Sequence, residues 1–200
     1  MKKKLSISIL AILLVGVLAF GAVAYFSDME TSNNNTFAAG TLDLTIDGQN
    51  TNAAKFNVSN MRPDSQPTTA WTLKNVGSLP GYLDIENISV FDDENGLLDP
   101  EVEANDNTPN SGELSQLINL RLYIDYDKAG GYSTGDYMIY NGKLGNVPSH
   151  FELNEAMAAN AELRIVAVVD WWESGSVDNQ GQSDKATLNL SFELAQRTSN

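Results

Sequence analysis

Apolar and polar residues alternate along much of this chain with a period of two. The clearest case is the run of Leu188, Leu190, Phe192 and Leu194, which are separated by polar residues. Such alternation is typical of strands that bury one face. It predicts about eight strands, once short runs rich in β-formers between turn clusters are included. The predicted strands lie within residues 42–46, 56–58, 69–74, 82–90, 120–124, 137–140, 163–169 and 188–194.

Helix-forming patterns are few in this sequence. Residues 111–118 and 151–161 are rich in good helix formers and are predicted to be short helices. Many strands without long helices between them favour an antiparallel sandwich, in which each sheet buries one face against the other. We therefore expect an all-β fold of jelly-roll or Greek-key type, with one or two short helices.

The N-terminus has the three parts of a secretory signal peptide. Lys2, Lys3 and Lys4 form a positive region, residues 5–20 form an apolar run, and the small residues Ala22 and Ala24 precede a cleavage site after Ala24. The sequence predicts a secreted protein that contacts the membrane only through residues 1–24 before cleavage. A retained anchor is the alternative, because residues 5–24 are about long enough to cross a bilayer.

Composition narrows the possible functions. The chain carries 26 acidic and 12 basic residues, a net charge of −14, which argues against a nucleic-acid partner. It has no cysteine and one histidine, so thiolate sites and sites with two imidazoles are excluded. Motifs of zinc peptidases, serine hydrolases and phosphate-binding loops are absent. The sequence therefore predicts no catalytic residue and no enzyme.

Residues 92–106 contain seven acids and no base, and we interpret them as an exposed acidic loop. A divalent-cation site is the alternative. Trp171 and Trp172 are interpreted as core residues at a strand end, with a sugar-binding platform as the alternative. Four sequons, at Asn34, Asn57, Asn87 and Asn189, would matter only in an organism that glycosylates exported proteins.

A second acidic segment has the spacing of a calcium loop. Asp125, Asp127, Gly130 and Asp136 fall at positions 1, 3, 6 and 12 of that pattern. Ala129 occupies position 5, and the flanking segments are predicted strands, so the segment is no EF-hand. Two interpretations remain open: a β-hairpin with a Gly-Gly turn, or a weak calcium site formed by Asp125, Asp127 and Asp136. Calcium is the only cofactor that the sequence suggests.

Residues 25–40 are too polar for a core strand. They are rich in Ser, Asn and Thr, with isolated large apolar residues at Phe26, Met29 and Phe37. We expect an N-terminal arm, because chain ends are loose unless other contacts hold them. The predicted division is a signal peptide at 1–24, the arm at 25–40 and a sandwich domain at 41–200.

Several blocks of the sequence resemble one known family. The segment T-F-x-x-G-T-L-D-L at residues 36–44, close behind a signal peptide, is similar to the start of the TasA/camelysin family. Further similar blocks are found at residues 56–63, 73–79, 169–171, 179–184 and 192–194. The resemblance implies a jelly-roll subunit of extracellular fibres in the biofilm matrix, a group that includes archaeal bundling pili.

The resemblance also implies a mode of assembly. In such fibres the N-terminal segment of one subunit is inserted as a strand into the next subunit, so neighbouring copies and accessory matrix proteins are the expected partners. Phe26, Met29 and Phe37 would be the anchors of that strand. Two alternatives stay open: a secreted metallopeptidase, as the camelysin branch is described, and a monomeric matrix-binding protein of the cell surface.

Maturation provides the first testable prediction. N-terminal sequencing or intact-mass measurement of the secreted protein should find Tyr25 as the first residue, because the site after Ala24 is the only good one between the apolar run and the polar arm. A protein that still begins at Met1 would instead support the retained anchor.

Overall fold

A computed structural model describes residues 40–51, 53–62, 64–171 and 176–196 of the chain. These residues belong to one compact unit, Gly40–Asn200. The predicted signal peptide, the arm anchors Phe26, Met29 and Phe37, and Trp172 lie outside the described residues. None of the helices within these ranges is long and apolar enough to span a bilayer.

The described residues form nine strands and two short α-helices. The strands are β1 Leu44–Ile46, β2 Ala53–Ser59, β3 Thr68–Asn75, β4 Gly81–Asp93, β5 Asn119–Ile124, β6 Tyr137–Lys143, β7 Phe151–Met157, β8 Glu162–Asp170 and β9 Lys185–Ala195. The helices are α1 Asp99–Glu103 and α2 Leu114–Leu117, and 3-10 turns occur at Leu144–Asn146 and Ser176–Gly181.

All strand pairs are antiparallel and form two sheets. One sheet has the order β1-β3-β8-β5-β6 and the other has the order β2-β9-β4-β7. Apart from β1, the orders 3-8-5-6 and 2-9-4-7 are those of an eight-stranded jelly roll built from two Greek keys. The predicted all-β sandwich is therefore confirmed.

The alternating pattern places the core between the sheets. In β9, Ala186, Leu188, Leu190 and Phe192 are buried while the residues between them are only partly so. They join one continuous cluster with the inward residues of the other strands. Trp171 is 2% exposed and donates its indole N–H to Asp178 Oδ1 at 3.2 Å, as expected of a core residue.

The prediction of a helix at residues 151–161 was wrong. Phe151–Met157 is strand β7, which pairs with β4. Pairing with β4 outweighs the weak helix propensity of the segment. Asn154 has a φ of 49°, a left-handed conformation that interrupts any helix. The helix predicted at 111–118 is present but short, since only Leu114–Leu117 is α-helical.

The interpretation of residues 92–106 as an exposed loop was also wrong in part. Asp92 and Asp93 complete β4, and Glu101 and Asp106 are almost fully buried. The Glu101 carboxylate accepts hydrogen bonds from the Leu98 N–H and from the backbone and side chain of Ser183. A carboxylate can be buried when it has such donors. The density of acidic residues alone therefore did not show that Glu101 and Asp106 are buried.

Asn75, which has no exposed surface, fastens the end of β3 to the opposite sheet. The two hydrogens of its Nδ2 are shared among the carbonyl oxygens of Leu79 at 2.8 Å, Ala158 at 3.2 Å and Met157 at 3.3 Å, and its Oδ1 accepts the Gly77 N–H. Because Met157 ends β7, one amide connects strands from both sheets.

Replacement of this amide tests its role. Asn75→Ala should lower the free energy of unfolding by about 2–3 kcal/mol, because the Gly77 N–H loses its acceptor and the Leu79 and Met157 carbonyls lose the amide donor. The measurement is urea unfolding followed by circular dichroism. Asn87→Ala, on an exposed position of β4, is the matched control and should stay within about 0.5 kcal/mol of wild type. Equal effects from the two variants would contradict this role for Asn75.

Candidate functional site

The predicted calcium residues lie in the hairpin loop between β5 and β6. Asp125 follows β5, Asp136 precedes β6, and the two strands pair directly. One carboxylate oxygen from each of Asp125, Asp127 and Asp136 lies within 4.8 Å of the others. Gly130 has a φ of 89°, as a sharp turn requires. The structure thus shows the hairpin and also brings the three carboxylates together.

Most of these oxygens already accept hydrogen bonds. Asp127 accepts the Ala129 N–H and the Ser133 hydroxyl, which lower its pKa. Asp136 accepts the backbone N–H groups of Tyr126 and Ser133. The loop is therefore held by its own hydrogen bonds.

Asp125 differs from the other two carboxylates. Its side chain is fully buried, and its Oδ2 accepts the Gly130 N–H and lies 3.1 Å from Nη1 of Arg164. Its Oδ1 is buried without a hydrogen-bond donor. The guanidinium lies where it would repel a cation, so calcium binding at this loop stays a prediction.

A second acidic cluster was not predicted as a unit. Glu94, Glu113 and Asp184 each place a carboxylate oxygen within 4.8 Å of the other two. Glu94 follows β4 and Asp184 precedes β9. The register pairs Asp93 with Lys185, so one residue further along Glu94 lies opposite Asp184. Residues opposite each other in an antiparallel pair share a face, which brings the two carboxylates together.

The start of α2 positions the third carboxylate, that of Glu113. Asp184 Oδ2 accepts the N–H of Glu113 at 2.6 Å and of Leu114 at 3.2 Å, so it caps the first turn of α2. A Cβ on Gly112 would lie 2.9 Å from the Asp184 carboxylate, so the close approach needs a glycine there. These contacts place Glu113 beside the ends of β4 and β9.

The cluster lacks donors for many of its oxygens. Both oxygens of Glu94, Oε2 of Glu113 and Oδ1 of Asp184 are buried without a hydrogen-bond partner, and so is Oδ2 of the adjacent Asp106. Asp184 is 1% exposed and Asp106 is 3% exposed. None of the ion pairs among the described residues involves these carboxylates. The arrangement is therefore a concentration of poorly compensated carboxylates, of which Asp184 is buried and Glu94 and Glu113 are half-buried.

Burial and mutual repulsion change how these groups titrate. Desolvation and the Asp184 carboxylate raise the pKa of Glu94 to about 7. Desolvation likewise raises the pKa of Glu113 and of Asp184. Each shift marks a carboxylate whose charge is poorly compensated by the protein.

Sequence reasoning missed this cluster because its members are distant along the chain. Glu94 was recognised only as part of the acidic run at 92–106, and Asp184 only as part of the block at 179–184. No spacing pattern connects Glu94 with Asp184, since the strand register brings them together.

Strand β2 forms a regular edge of the second sheet. It pairs with β9 through all seven residues without a register shift, and no described residue pairs with its other side. Ala54, Phe56 and Val58 point inward, and the residues between them are exposed. The edge strand β7, in contrast, is interrupted by a register shift against β4. Unprotected, regular edges are the ones that accept a further strand.

The start of the described chain is fixed to the sandwich. The Thr41 carbonyl accepts the N–H groups of Ser78 and Leu79, and the Asp43 carbonyl accepts the Val76 N–H. A Cβ on Gly77 would clash with the Thr41 carbonyl oxygen, so this crossing needs a glycine. Residues 41–43 are therefore held beside the turn that follows β3.

Comparison with known proteins agrees with the sequence blocks described above. The major biofilm matrix component of Bacillus subtilis (strain 168) is 39% identical over 80 residues, which are 40% of this chain and 29% of that protein. This chain thus matches less than a third of that relative's length. A family model described as camelysin metallo-endopeptidase matches residues 1–200. Because that match includes all 200 residues, the chain belongs to the camelysin metallo-endopeptidase family.

Proposed function

We propose that this protein is a non-catalytic structural subunit of extracellular filaments in a biofilm matrix. The B. subtilis relative is a matrix component by name, and the jelly roll presents an edge suited to strand addition. Neighbouring copies are the main partners in this proposal, with accessory matrix proteins as further ones.

The observation that carries the proposal is the outer edge of β2. Seven residues in regular register offer backbone N–H and C=O groups to an added strand. Extended segments bind such edges through main-chain hydrogen bonds, and alternate side chains fill neighbouring apolar pockets. Residues 25–40 of another copy supply that strand, with Phe26, Met29 and Phe37 as anchors. Head-to-tail addition does not close on itself, so it generates filaments.

The contacts at residues 41–43 support this assembly. They hold residues 41–43 against the turn after β3, so in this proposal the arm of each subunit is joined to a fixed part of the sandwich. A fixed origin reduces the freedom that is lost when the arm binds a neighbour, and the binding free energy improves accordingly.

The available ligands do not fit a zinc peptidase. Catalytic zinc sites use three protein ligands, usually with histidine among them, and keep a fourth position open for water. This chain has a single histidine, His150, which is exposed, and no cysteine. Both carboxylate clusters consist of oxygen donors alone. The proposal therefore assigns no peptidase activity despite the family's description.

Calcium at Asp125, Asp127 and Asp136 belongs to the proposal as a weak site. The charge of Arg164 opposes cation binding there, whereas the buried Oδ1 of Asp125 favours it. We expect a dissociation constant for calcium on the order of 10⁻⁴–10⁻³ M at this loop, as in other extracellular calcium-binding modules.

Deletion of residues 25–36 tests the assembly. The truncated protein should keep its β-type circular dichroism but remain monomeric, with no filaments in electron microscopy, because the donor strand is missing. A synthetic peptide of residues 25–40 should bind it. The matched control peptide, with Phe26, Met29 and Phe37 replaced by serine, should bind at least about 100-fold more weakly, since each buried anchor contributes roughly 1.5–3 kcal/mol.

Two outcomes would contradict strand donation. Filaments formed by the truncated protein would show that the arm is not the donor. A truncated protein that cannot fold would show that the arm belongs to the core of its own subunit.

Incubation with casein tests the absence of peptidase activity. The purified protein should leave casein intact over hours, with or without added zinc, because no histidine-containing zinc site is available. Cleavage that a chelator abolishes, and that copurifies with the protein through two chromatographic steps, would establish the peptidase instead.

A further inference from the structure

The carboxylates of Glu94, Glu113 and Asp184 form a cluster where β4 ends and β9 begins. Four of their six oxygens are buried without a donor, and Asp106 adds a fifth such oxygen beside them. The Thr108 hydroxyl lies within 2.6 Å of both Asp106 Oδ1 and Glu113 Oε1. One hydroxyl has one hydrogen to donate, so it donates to only one of these two oxygens, and Asp106 Oδ1 also accepts the Thr108 N–H at 2.8 Å.

Such an arrangement is costly in a protein without a ligand. A buried carboxylate oxygen without a donor loses its hydration and gains nothing in return. Asp184 alone shows the contrast, because its Oδ2 accepts two backbone N–H groups while its Oδ1 is buried without any donor. A cation bound among the three residues would compensate carboxylate oxygens from all of them together.

We propose that Glu94, Glu113 and Asp184 bind one calcium ion, which fastens the ends of β4 and β9 to α2. Calcium takes six to eight oxygen ligands at 2.3–2.6 Å, so oxygens on opposite sides of the ion are separated by about 4.6–5.2 Å. The separations of up to 4.8 Å within the cluster fit that size. Both oxygens of Glu94 are free for bidentate binding, which calcium favours.

Other divalent cations fit less well. Magnesium demands near-octahedral geometry at 2.0–2.1 Å and dehydrates reluctantly, so a buried and closely spaced set of carboxylates suits it poorly. Zinc prefers nitrogen and sulfur ligands, and the cluster supplies only oxygen. The chemistry and the spacing therefore select calcium.

The site is distinct from the loop of Asp125, Asp127 and Asp136. In that loop Arg164 already compensates Asp125, and hydrogen bonds satisfy Asp127 and Asp136. At Glu94, Glu113 and Asp184, by contrast, four of the six carboxylate oxygens lack a donor, and no ion pair among the described residues involves these side chains. The cluster of Glu94, Glu113 and Asp184 should therefore be the tighter calcium site, whether or not the protein polymerises.

Thermal unfolding with calcium tests the proposal. The secreted protein, stripped with chelator and dialysed, should gain about 5–10 °C in Tm when calcium reaches 100 times its dissociation constant. Magnesium chloride at equal ionic strength is the control and should give a much smaller rise. Isothermal titration calorimetry should show one tighter site per chain, and protein purified without chelator should contain calcium by elemental analysis.

Variants assign the response to the cluster. Glu94→Gln removes a charge but keeps the shape, so it should abolish the calcium-dependent rise and increase the Tm of the calcium-free protein by relieving repulsion. Asp184→Asn should also lose the rise, although its changed cap on α2 lowers the starting Tm. Asp127→Ala, in the hairpin loop between β5 and β6, is the matched control. It should keep the calcium-dependent rise in Tm and lose only the weaker calcium site.

Three results would overturn the proposal. One is a Tm that does not change when calcium is added to about 10 mM, above the range of weak extracellular sites. Another is a full calcium response in Glu94→Gln. The third is a calcium-free protein that is stabilised by acidification and indifferent to calcium, because the carboxylates would then share a proton in place of a metal ion.

Discussion

The ladder between β4 and β9 is the constraint on which the rest of the sandwich depends. These strands are the two central strands of their sheet and pair from Tyr82 opposite Ala195 to Asp93 opposite Lys185. The ladder presents the inward residues of β9 to the core, and β9 carries β2 on its other side. It also sets Glu94 opposite Asp184. A register slip of one residue would expose the buried face and separate the acidic cluster.

Local pattern predicted most of the strands, because residues such as Leu188 to Leu194 alternate wherever one face is buried. It failed at Phe151–Met157, where pairing with β4 decides the structure and local propensity does not. At the sites, Asp125 and Asp127 were predictable from loop spacing. The grouping of Glu94 with Glu113 and Asp184 depends on register and on the cap of α2, which no local window contains.

The two carboxylate clusters show how position changes the meaning of an acidic residue. Asp127 and Asp136 face a loop whose backbone N–H groups and hydroxyl satisfy them. Asp184 and Glu94 face each other at the end of two strands, where the protein supplies few donors. In a chain with a net charge of −14, the excess acidic residues are therefore unevenly compensated by hydrogen-bond donors. Although the family is described as a metallo-endopeptidase, both carboxylate clusters of the described residues offer only oxygen ligands.

The fastening of residues 41–43 beside the turn after β3 has a mechanical consequence. Tension applied through the preceding segment would enter the sandwich at the backbone hydrogen bonds from Ser78 and Leu79 to Thr41 and from Val76 to Asp43. Asn75 adjoins this turn and ties it to the opposite sheet. Resistance to pulling is governed by the rate at which the loaded contacts rupture. These hydrogen bonds and the Asn75 amide would therefore distribute a load over both sheets. The weakest of them would set the force at which the chain begins to unfold.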